Sequence, residues 1–398
     1  MPGGPKNGRP ACRTGAAELR GPASHLRRKR GPCGKKARHG GNGVCVFAVT
    51  LPRKKTRMDF RITAELPAKG PRLRPESRVM LMGSCFAEHV GLRMAGAGLR
   101  AEVNPFGVLY NPESLRMALT TLLDGLPSEG VFFEGRDGLW HSWLHSGAFS
   151  APSREACRRA VTERLDAAAR ALGTADVLFV TFGTADVYTL ADGRTVANCH
   201  KEPAATFHQR RLTVGKIVET WLMLLGRLRQ ANRKLQVVMT VSPYRYAKLG
   251  LHGSQLTKAV LLLATDEICR QAGECFYFPA YEIVTDELRD YRFYDRDMLH
   301  PSAQAVDYVW ERLAGWCFEP SLLSFMAERE ALDRYLSHRP LHPGSAAHLQ
   351  FLRAASARLE RLAENRPWLD LAERREELRR RTEEAQALYE EKQSHTLT

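Results

Sequence analysis

Four short apolar runs alternate along the chain with longer stretches of helical periodicity. The runs are residues 79–82, 177–182, 235–241 and 275–278, and largely apolar runs of this length are typical of buried parallel strands. The periodic stretches predict helices at residues 86–99, 112–124, 152–171, 213–231, 255–271 and 302–316. Strands that alternate with helices are joined by right-handed crossovers, which place helices on both faces of a parallel sheet. The pattern therefore predicts an α/β fold: a three-layer α/β/α sandwich with a mainly parallel sheet.

The two ends of the chain differ from this body. Residues 1–57 contain 15 Lys or Arg and one acid, Glu18, so most of the formal net charge of +15 lies there. This stretch is rich in Gly and Pro and lacks apolar periodicity, which predicts a disordered basic tail. Beyond residue 340, leucines spaced among Glu and Arg predict one or two amphipathic helices. The predicted organisation is a tail at 1–57, a catalytic domain at 58–340 and a helical C-terminal extension at 341–398; an alternative places the tail upstream of a true start at Met58.

Composition excludes several classes of protein. The body after residue 57 is almost neutral, so we expect no specific nucleic-acid partner, although the tail alone could bind polyanions weakly. No apolar run approaches the roughly 20 residues of a membrane helix, and we expect no membrane association. Nine cysteines without a CxxC pair argue against a disulfide framework and a zinc site. We expect a cytoplasmic protein with no metal and no cofactor.

Two separated motifs suggest acyl-transfer chemistry. Gly83 ends the first apolar run and is followed by Ser84 and Cys85, at a turn into a predicted helix. Such a turn exposes side chains at the sheet edge beside free backbone N–H groups, which suits a nucleophile. Asp297 and His300 lie three residues apart before a proline, where Asp can hold the imidazole that takes the nucleophile's proton. Each motif alone is more often structural, as a small-residue turn or a loop histidine.

Together, these motifs identify a resemblance to the GSCFA family, a branch of the SGNH/GDSL hydrolase superfamily. The matching segments are residues 83–87, 104–112, 141–143, 182–185, 198–201, 241–243 and 290–301. The resemblance implies an SGNH-type sandwich in which Asp297 orients His300 and His300 acts as the base. It also implies an oxyanion hole with a backbone donor near Gly107.

This chain departs from the superfamily pattern at two places. Superfamily members usually read Gly-Asp-Ser after the first strand, and alignment on Gly83 puts Cys85 in the serine slot; Cys85 is therefore slightly favoured as nucleophile over Ser84. The third block usually reads Gly-x-Asn-Asp, whereas this chain has Thr184 followed by alanine, so a side-chain oxyanion donor is missing. Thr184 itself is a candidate to contact the oxyanion or the substrate. The loss of one such donor commonly costs about a hundredfold to a thousandfold in rate.

Three residues are candidates to replace that donor: Asn104, Asn198 and His200. His200 with Lys201 can alternatively contact an anionic substrate group, or the Asn198 to His200 loop can simply brace the site. The leading hypothesis is hydrolysis of a small-molecule or carbohydrate acyl ester, with a transferase that uses the same residues as a variant. The runner-up is a non-catalytic SGNH-like protein that binds a glycan or acyl compound or serves as an interaction module. The sequence assigns no oligomeric state.

Overall fold

The computed structural model describes residues 61–127, 130–337 and 339–396. Its strands, in chain order, are β1 (Arg78–Gly83), β2 (Arg100–Val103), β3 (Phe132–Glu134), β4 (Trp140–Ser142), β5 (Val177–Phe182), β6 (Asp186–Thr189), β7 (Thr195–Val196), β8 (His208–Arg211), β9 (Gln236–Val241) and β10 (Cys275–Tyr277). The helices are α1 (Cys85–Gly96), α2 (Pro112–Asp124), α3 (Arg154–Thr174), α4 (Val214–Ala231), α5 (Gly250–Gln271), α6 (Ala280–Glu282), α7 (Ala303–Cys317), α8 (Pro320–Ser337), α9 (Ala346–Asn365) and α10 (Ala372–Thr396).

The central sheet has five strands in the order β10-β9-β5-β1-β2, and every adjacent pair is parallel. The order reverses at β1, because the chain builds β2 on one side of β1 and the remaining strands on the other. In doubly wound sheets this reversal opens a crevice at the carboxyl ends of the strands. A β3–β4 hairpin and a small antiparallel sheet, β7-β6-β8, lie outside the central sheet.

Helices cover both faces of the sheet, because the side chains of its strands point alternately to the two faces and are apolar on both. Val79 and Leu81 join one core cluster with α1 and α7, whereas Met80 and Met82 join the other with α2, α3, α4 and α5. Successive strand side chains point to opposite faces, so a wholly apolar strand fits only between two helical layers. The predicted three-layer α/β/α sandwich is confirmed.

The four predicted strands and six predicted helices all form, with ends shifted by a few residues. Helix α2 begins as expected, because Asn111 Oδ1 accepts the Ser114 N–H at 2.8 Å and Pro112 occupies the first turn. Helices α6 and α8 and the strands β2, β3, β4, β6, β7 and β8 were not predicted. All six strands have four residues or fewer, too short to show a clear period.

The C-terminal helices pack on the body. Leu322 and Phe325 of α8, Leu352 of α9 and Leu378 of α10 belong to the same buried cluster as Leu81 of β1. Residues Asp59–Thr398 accordingly form one compact unit. The tail predicted at 1–57 lies outside the described residues. Within the described part of the chain, no helix is long and apolar enough to cross a membrane.

Candidate active site

The polar motifs gather where the parallel strands end. β1 leads into Ser84 and Cys85, β5 leads into Gly183, and β9 leads into Ser242. Because all three strands run in the same direction, these residues share the carboxyl edge of the sheet. This is the edge at which the strand order reverses and where α/β proteins bind ligands.

Gly83 permits the sharp exit from β1. Its φ is +150°, and a Cβ atom there would lie 2.4 Å from Thr181 O of the adjacent strand. A side chain would therefore push β1 away from β5. Only glycine lets the chain turn here while it stays paired, and this fixes where the next two residues emerge.

Burial distinguishes the two candidate nucleophiles. Ser84 is only 1% exposed, and its Oγ has no hydrogen-bond partner in the structure. Cys85, the first residue of α1, is half-buried and can be reached from solvent. Burial raises the pKa of the Cys85 thiol, although the backbone N–H groups of Phe86 and Cys85 oppose this. The thiol is thus protonated at neutral pH and requires a base to become nucleophilic.

Asp297 and His300 form a preorganised pair. Asp297 Oδ1 accepts the N–H groups of Leu299 and His300 at 2.9 and 3.0 Å, while Oδ2 lies 2.5 Å from His300 Nδ1. These hydrogen bonds, led by the His300 N–H, lower the pKa of Asp297 to about 2. The carboxylate can only accept, so Nδ1 carries the proton and Nε2 is left with its lone pair. Among the described residues, Nε2 has no protein partner.

Tyr244 contacts the histidine motif and is influenced by the charge of Cys85. The His300 ring packs on the Tyr244 ring with centroids 4.4 Å apart. Burial raises the pKa of Tyr244, and the charges of both Cys85 and Asp297 add to this, so the phenol is near both motifs. Arg245 ties the same loop to the histidine segment, because its N–H donates to Leu299 O at 3.1 Å and its guanidinium lies over Tyr294. Across the described residues, no direct hydrogen bond joins His300 to Cys85 or Ser84.

Asn104 lies against the Gly83 turn. It has a left-handed φ of 41°, and its Oδ1 accepts the Gly83 N–H at 2.9 Å. Its Nδ2 is buried and has no partner in the structure. Gly107 differs: its N–H donates to Asn104 O at 2.7 Å, so the backbone donor expected there is already used within the loop.

Thr184 faces inward. It is 2% exposed, and its hydroxyl contacts Thr257 Oγ1 at 3.1 Å. Its N–H donates to Tyr110 O at 3.0 Å, and the next N–H, of Ala185, donates to Thr257 at 2.6 Å. The side chain expected to contact the oxyanion or substrate instead braces this loop.

Asn198 and His200 belong to a neighbouring aromatic cluster. Asn198 Oδ1 accepts the His200 N–H at 2.8 Å, and His200 Nε2 lies 2.9 Å from Ser142 O. The His200 ring lies 4.6 Å from that of His141 and 5.6 Å from that of Phe133. Both predicted residues are therefore engaged in holding the loop on the β3–β4 hairpin, and no contact within the described part of the chain joins them to Cys85 or His300.

Sequence reasoning missed Lys258 and three tyrosines. Lys258 on α5 is 2% exposed, and its Nζ donates to Gly183 O at 2.6 Å and Ser242 O at 2.7 Å. The ring of Tyr246 lies 6.3 Å from that of Tyr110 and 5.9 Å from that of Tyr244. The buried face of α5 contains Lys258 at helical spacing from Ser254, Thr257 and Leu261. This helical period was the available signal for the lysine.

The described residues contain no group of three His, Cys, Asp or Glu side chains that could hold a metal ion. The fold and the site define a doubly wound α/β protein with a half-buried cysteine and an Asp–His pair at the carboxyl edge of its sheet.

The chain belongs to the GSCFA family. The family model matches residues 78–313, more than half of the chain, and a model described as "GSCFA domain protein, C-terminal domain" matches residues 330–384. The membership expected from the sequence motifs is confirmed. Comparison with curated protein sequences gave no significant match.

Two solved structures show distant similarity. A protein from Streptococcus pneumonia, provisionally designated a platelet activating factor, is 12% identical with a TM-score of 0.32, over 60% of this chain and 84% of that one. A carbohydrate esterase family 3 protein from Talaromyces cellulolyticus is 8% identical with a TM-score of 0.28, over 63% of this chain and 99% of that one. Similarities this weak carry no argument about activity.

Proposed function

We propose that this protein is an SGNH-like acyl-ester hydrolase in which Cys85 is the nucleophile, His300 the general base and Asp297 the residue that orients His300. The observation that carries the proposal is the Asp297–His300 pair, with its Nε2 unpartnered, packed on a tyrosine that also lies near Cys85. Of the two candidate nucleophiles, only Cys85 is accessible.

The reaction follows from this arrangement. His300 Nε2 takes the thiol proton while Cys85 Sγ bonds to the ester carbonyl carbon. Collapse of the tetrahedral intermediate breaks the C–O bond, and the alcohol leaves with the proton from His300. Water, deprotonated by the same Nε2, then hydrolyses the thioester and releases the acid. An acyltransferase would use another alcohol in place of this water.

In this proposal, two kinds of donor stabilise the oxyanion. The first-turn N–H groups of α1, beginning with those of Cys85 and Phe86, have no partner within the helix because they precede its first full turn. Asn104 Nδ2 is a buried amide without a partner beside the same turn. In this proposal Asn104 supplies the side-chain donor that Ala185 lacks.

The tyrosines favour a carbohydrate ester as substrate. Tyr110, Tyr244 and Tyr246 are half-buried and their rings contact one another edge-on, and the charge of Cys85 acts on Tyr110 and Tyr244. Such rings offer both an apolar face and a polar hydroxyl, which suits a sugar ring with its C–H face and hydroxyl groups. A fatty-acyl ester would instead require a long apolar cavity at the site.

The test combines ester hydrolysis with cysteine labelling. Acetylated sugars and p-nitrophenyl acetate serve as substrates, and iodoacetamide adducts are located by peptide mapping. Cys85→Ala and His300→Gln should reduce hydrolysis to background. Ser84→Ala should leave it largely intact, because the Ser84 hydroxyl makes no hydrogen bond to lose.

Cys199→Ala and His208→Gln are matched controls, the first at a half-buried cysteine and the second at an exposed histidine. Loss of activity in Ser84→Ala but not in Cys85→Ala would reassign the nucleophile. The proposal would be refuted, and the non-catalytic alternative supported, if the folded wild-type protein hydrolysed no ester and His300→Gln did not change the labelling of Cys85.

A further inference from the structure

Lys258 is a buried cation at the edge of the sheet that carries the site. It lies on the inner face of α5, 2% exposed, and its Nζ donates to Gly183 O and Ser242 O at 2.6 and 2.7 Å. These carbonyls belong to the residues that directly follow β5 and β9. The ammonium therefore lies at the same carboxyl edge as Cys85.

No carboxylate pairs with this ammonium among the described residues. An ammonium buried without a counter-charge costs several kcal/mol, and two carbonyl partners offset only part of that. A neutral amide such as glutamine could donate to the same carbonyls. Hydrogen bonding to these two carbonyls therefore does not by itself explain a lysine at this position.

Lys258 and Cys85 influence each other's ionisation. Burial lowers the pKa of Lys258 to about 7, and Cys85 opposes that shift. In return, the charge of Lys258 lowers the pKa of Cys85, against the larger effect of burial. The other titratable groups near this pair are Glu88 on α1, Tyr110, Tyr244 and Tyr281, and His300 packs on Tyr244.

We propose that Lys258 is a positioning residue of this site, whose ammonium stabilises the negative charge that forms on Cys85 Sγ when the thiol gives up its proton. This inference rests on the proposed function, because it requires Cys85 to act as the nucleophile. Glu88 acts in the opposite sense. Lys258 is thus the nearby cation that opposes the effects of Glu88 and of burial on the sulfur, although its effect is smaller than either.

The test is the pH dependence of Cys85 alkylation by iodoacetamide, followed by mass spectrometry of the Cys85 peptide. In Lys258→Gln and Lys258→Met the rate at neutral pH should fall about tenfold, which is a rise of about one unit in the apparent pKa of Cys85. The rate at high pH, where every thiol is ionised, should be unchanged. A merely structural lysine would not shift the profile this way. Lys234→Gln, at an exposed lysine at the opposite end of the sheet, is the control.

The outcomes separate the two proposals. If wild-type Cys85 labels selectively but Lys258→Gln keeps the wild-type profile, the role of Lys258 is overturned and the proposed function stands. If wild-type Cys85 does not label selectively, the proposed function is refuted, and the role of Lys258, which rests on it, is refuted as well.

A measurement on the wild-type protein applies if both lysine variants unfold. Iodoacetate leaves a carboxylate on Cys85, whereas iodoacetamide leaves a neutral group. The carboxylate adduct should have a higher Lys258 pKa, measured by NMR of the lysine ε-carbon. Equal pKa values in the two adducts would overturn the inference.

Discussion

The replacement Gly83→Ala tests how the sheet positions the candidate nucleophile. The new Cβ would lie 2.4 Å from Thr181 O and 2.8 Å from Thr181 Cβ, and the φ of +150° is one that side chains rarely adopt. The backbone conformation costs about 1–3 kcal/mol, and forcing a methyl group into a packed core costs about 1–3 kcal/mol more. We therefore expect the free energy of unfolding to fall by about 2–6 kcal/mol.

Urea denaturation followed by far-UV circular dichroism measures this change. Gly226→Ala is the matched control, because Gly226 lies exposed in the middle of α4 and a Cβ there meets nothing within 4 Å. Alanine should stabilise that helix by about 1 kcal/mol. The reasoning would be refuted if Gly83→Ala unfolded within about 0.5 kcal/mol of wild type, the usual range of a neutral surface change.

Two further predictions concern the charge states of individual residues. Asp297→Asn should reduce ester hydrolysis by about 10⁴-fold, as the loss of the orienting carboxylate does in serine proteases. The urea midpoint, measured in parallel, should stay close to that of the wild type. Unimpaired hydrolysis would contradict the role of Asp297. His145, buried against Phe106 with a pKa lowered by burial to about 3, remains neutral in the folded protein, whereas the unfolded chain takes up a proton below its ordinary pKa of 6.5. Stability should therefore fall as the pH drops from about 6.5 toward 3, and His145→Gln, but not the exposed His208→Gln, should flatten this dependence in urea titrations across pH.

Four of the five strands of the central sheet and the helices that cover it were predictable because they follow from local periods. The run at 177–182 is apolar at every position except Thr181, and this fits only a strand covered on both faces. The cap formed by Asn111 and Pro112 marked the start of α2 to the residue. Helix α8, which directly follows α7 with Pro320 as its first residue, has a weaker pattern and was missed.

The site was predictable only in part. The Asp297–His300 spacing of three residues is enough to let one loop bring the carboxylate to the ring, and the structure has this contact. Whether Ser84 or Cys85 is accessible depends on how α1 packs at the end of β1. The sequence did not predict the hydrogen-bond partners of Gly107 and Thr184. The Gly107 N–H donates to Asn104 O, and the Thr184 hydroxyl contacts Thr257.

By itself, the sequence determined four strands of the central sheet and the helices between them, the turn at Gly83 and the pairing of Asp297 with His300, because each depends on residues close together in the chain. The tertiary structure alone decided that Tyr244 lies near both motifs, that Ser84 is buried, and that Lys258 lies at the same edge as Cys85. These features depend on which strand ends meet and on which groups are removed from water. Burial and electrostatic proximity are properties of the packed chain, so no local period can encode them.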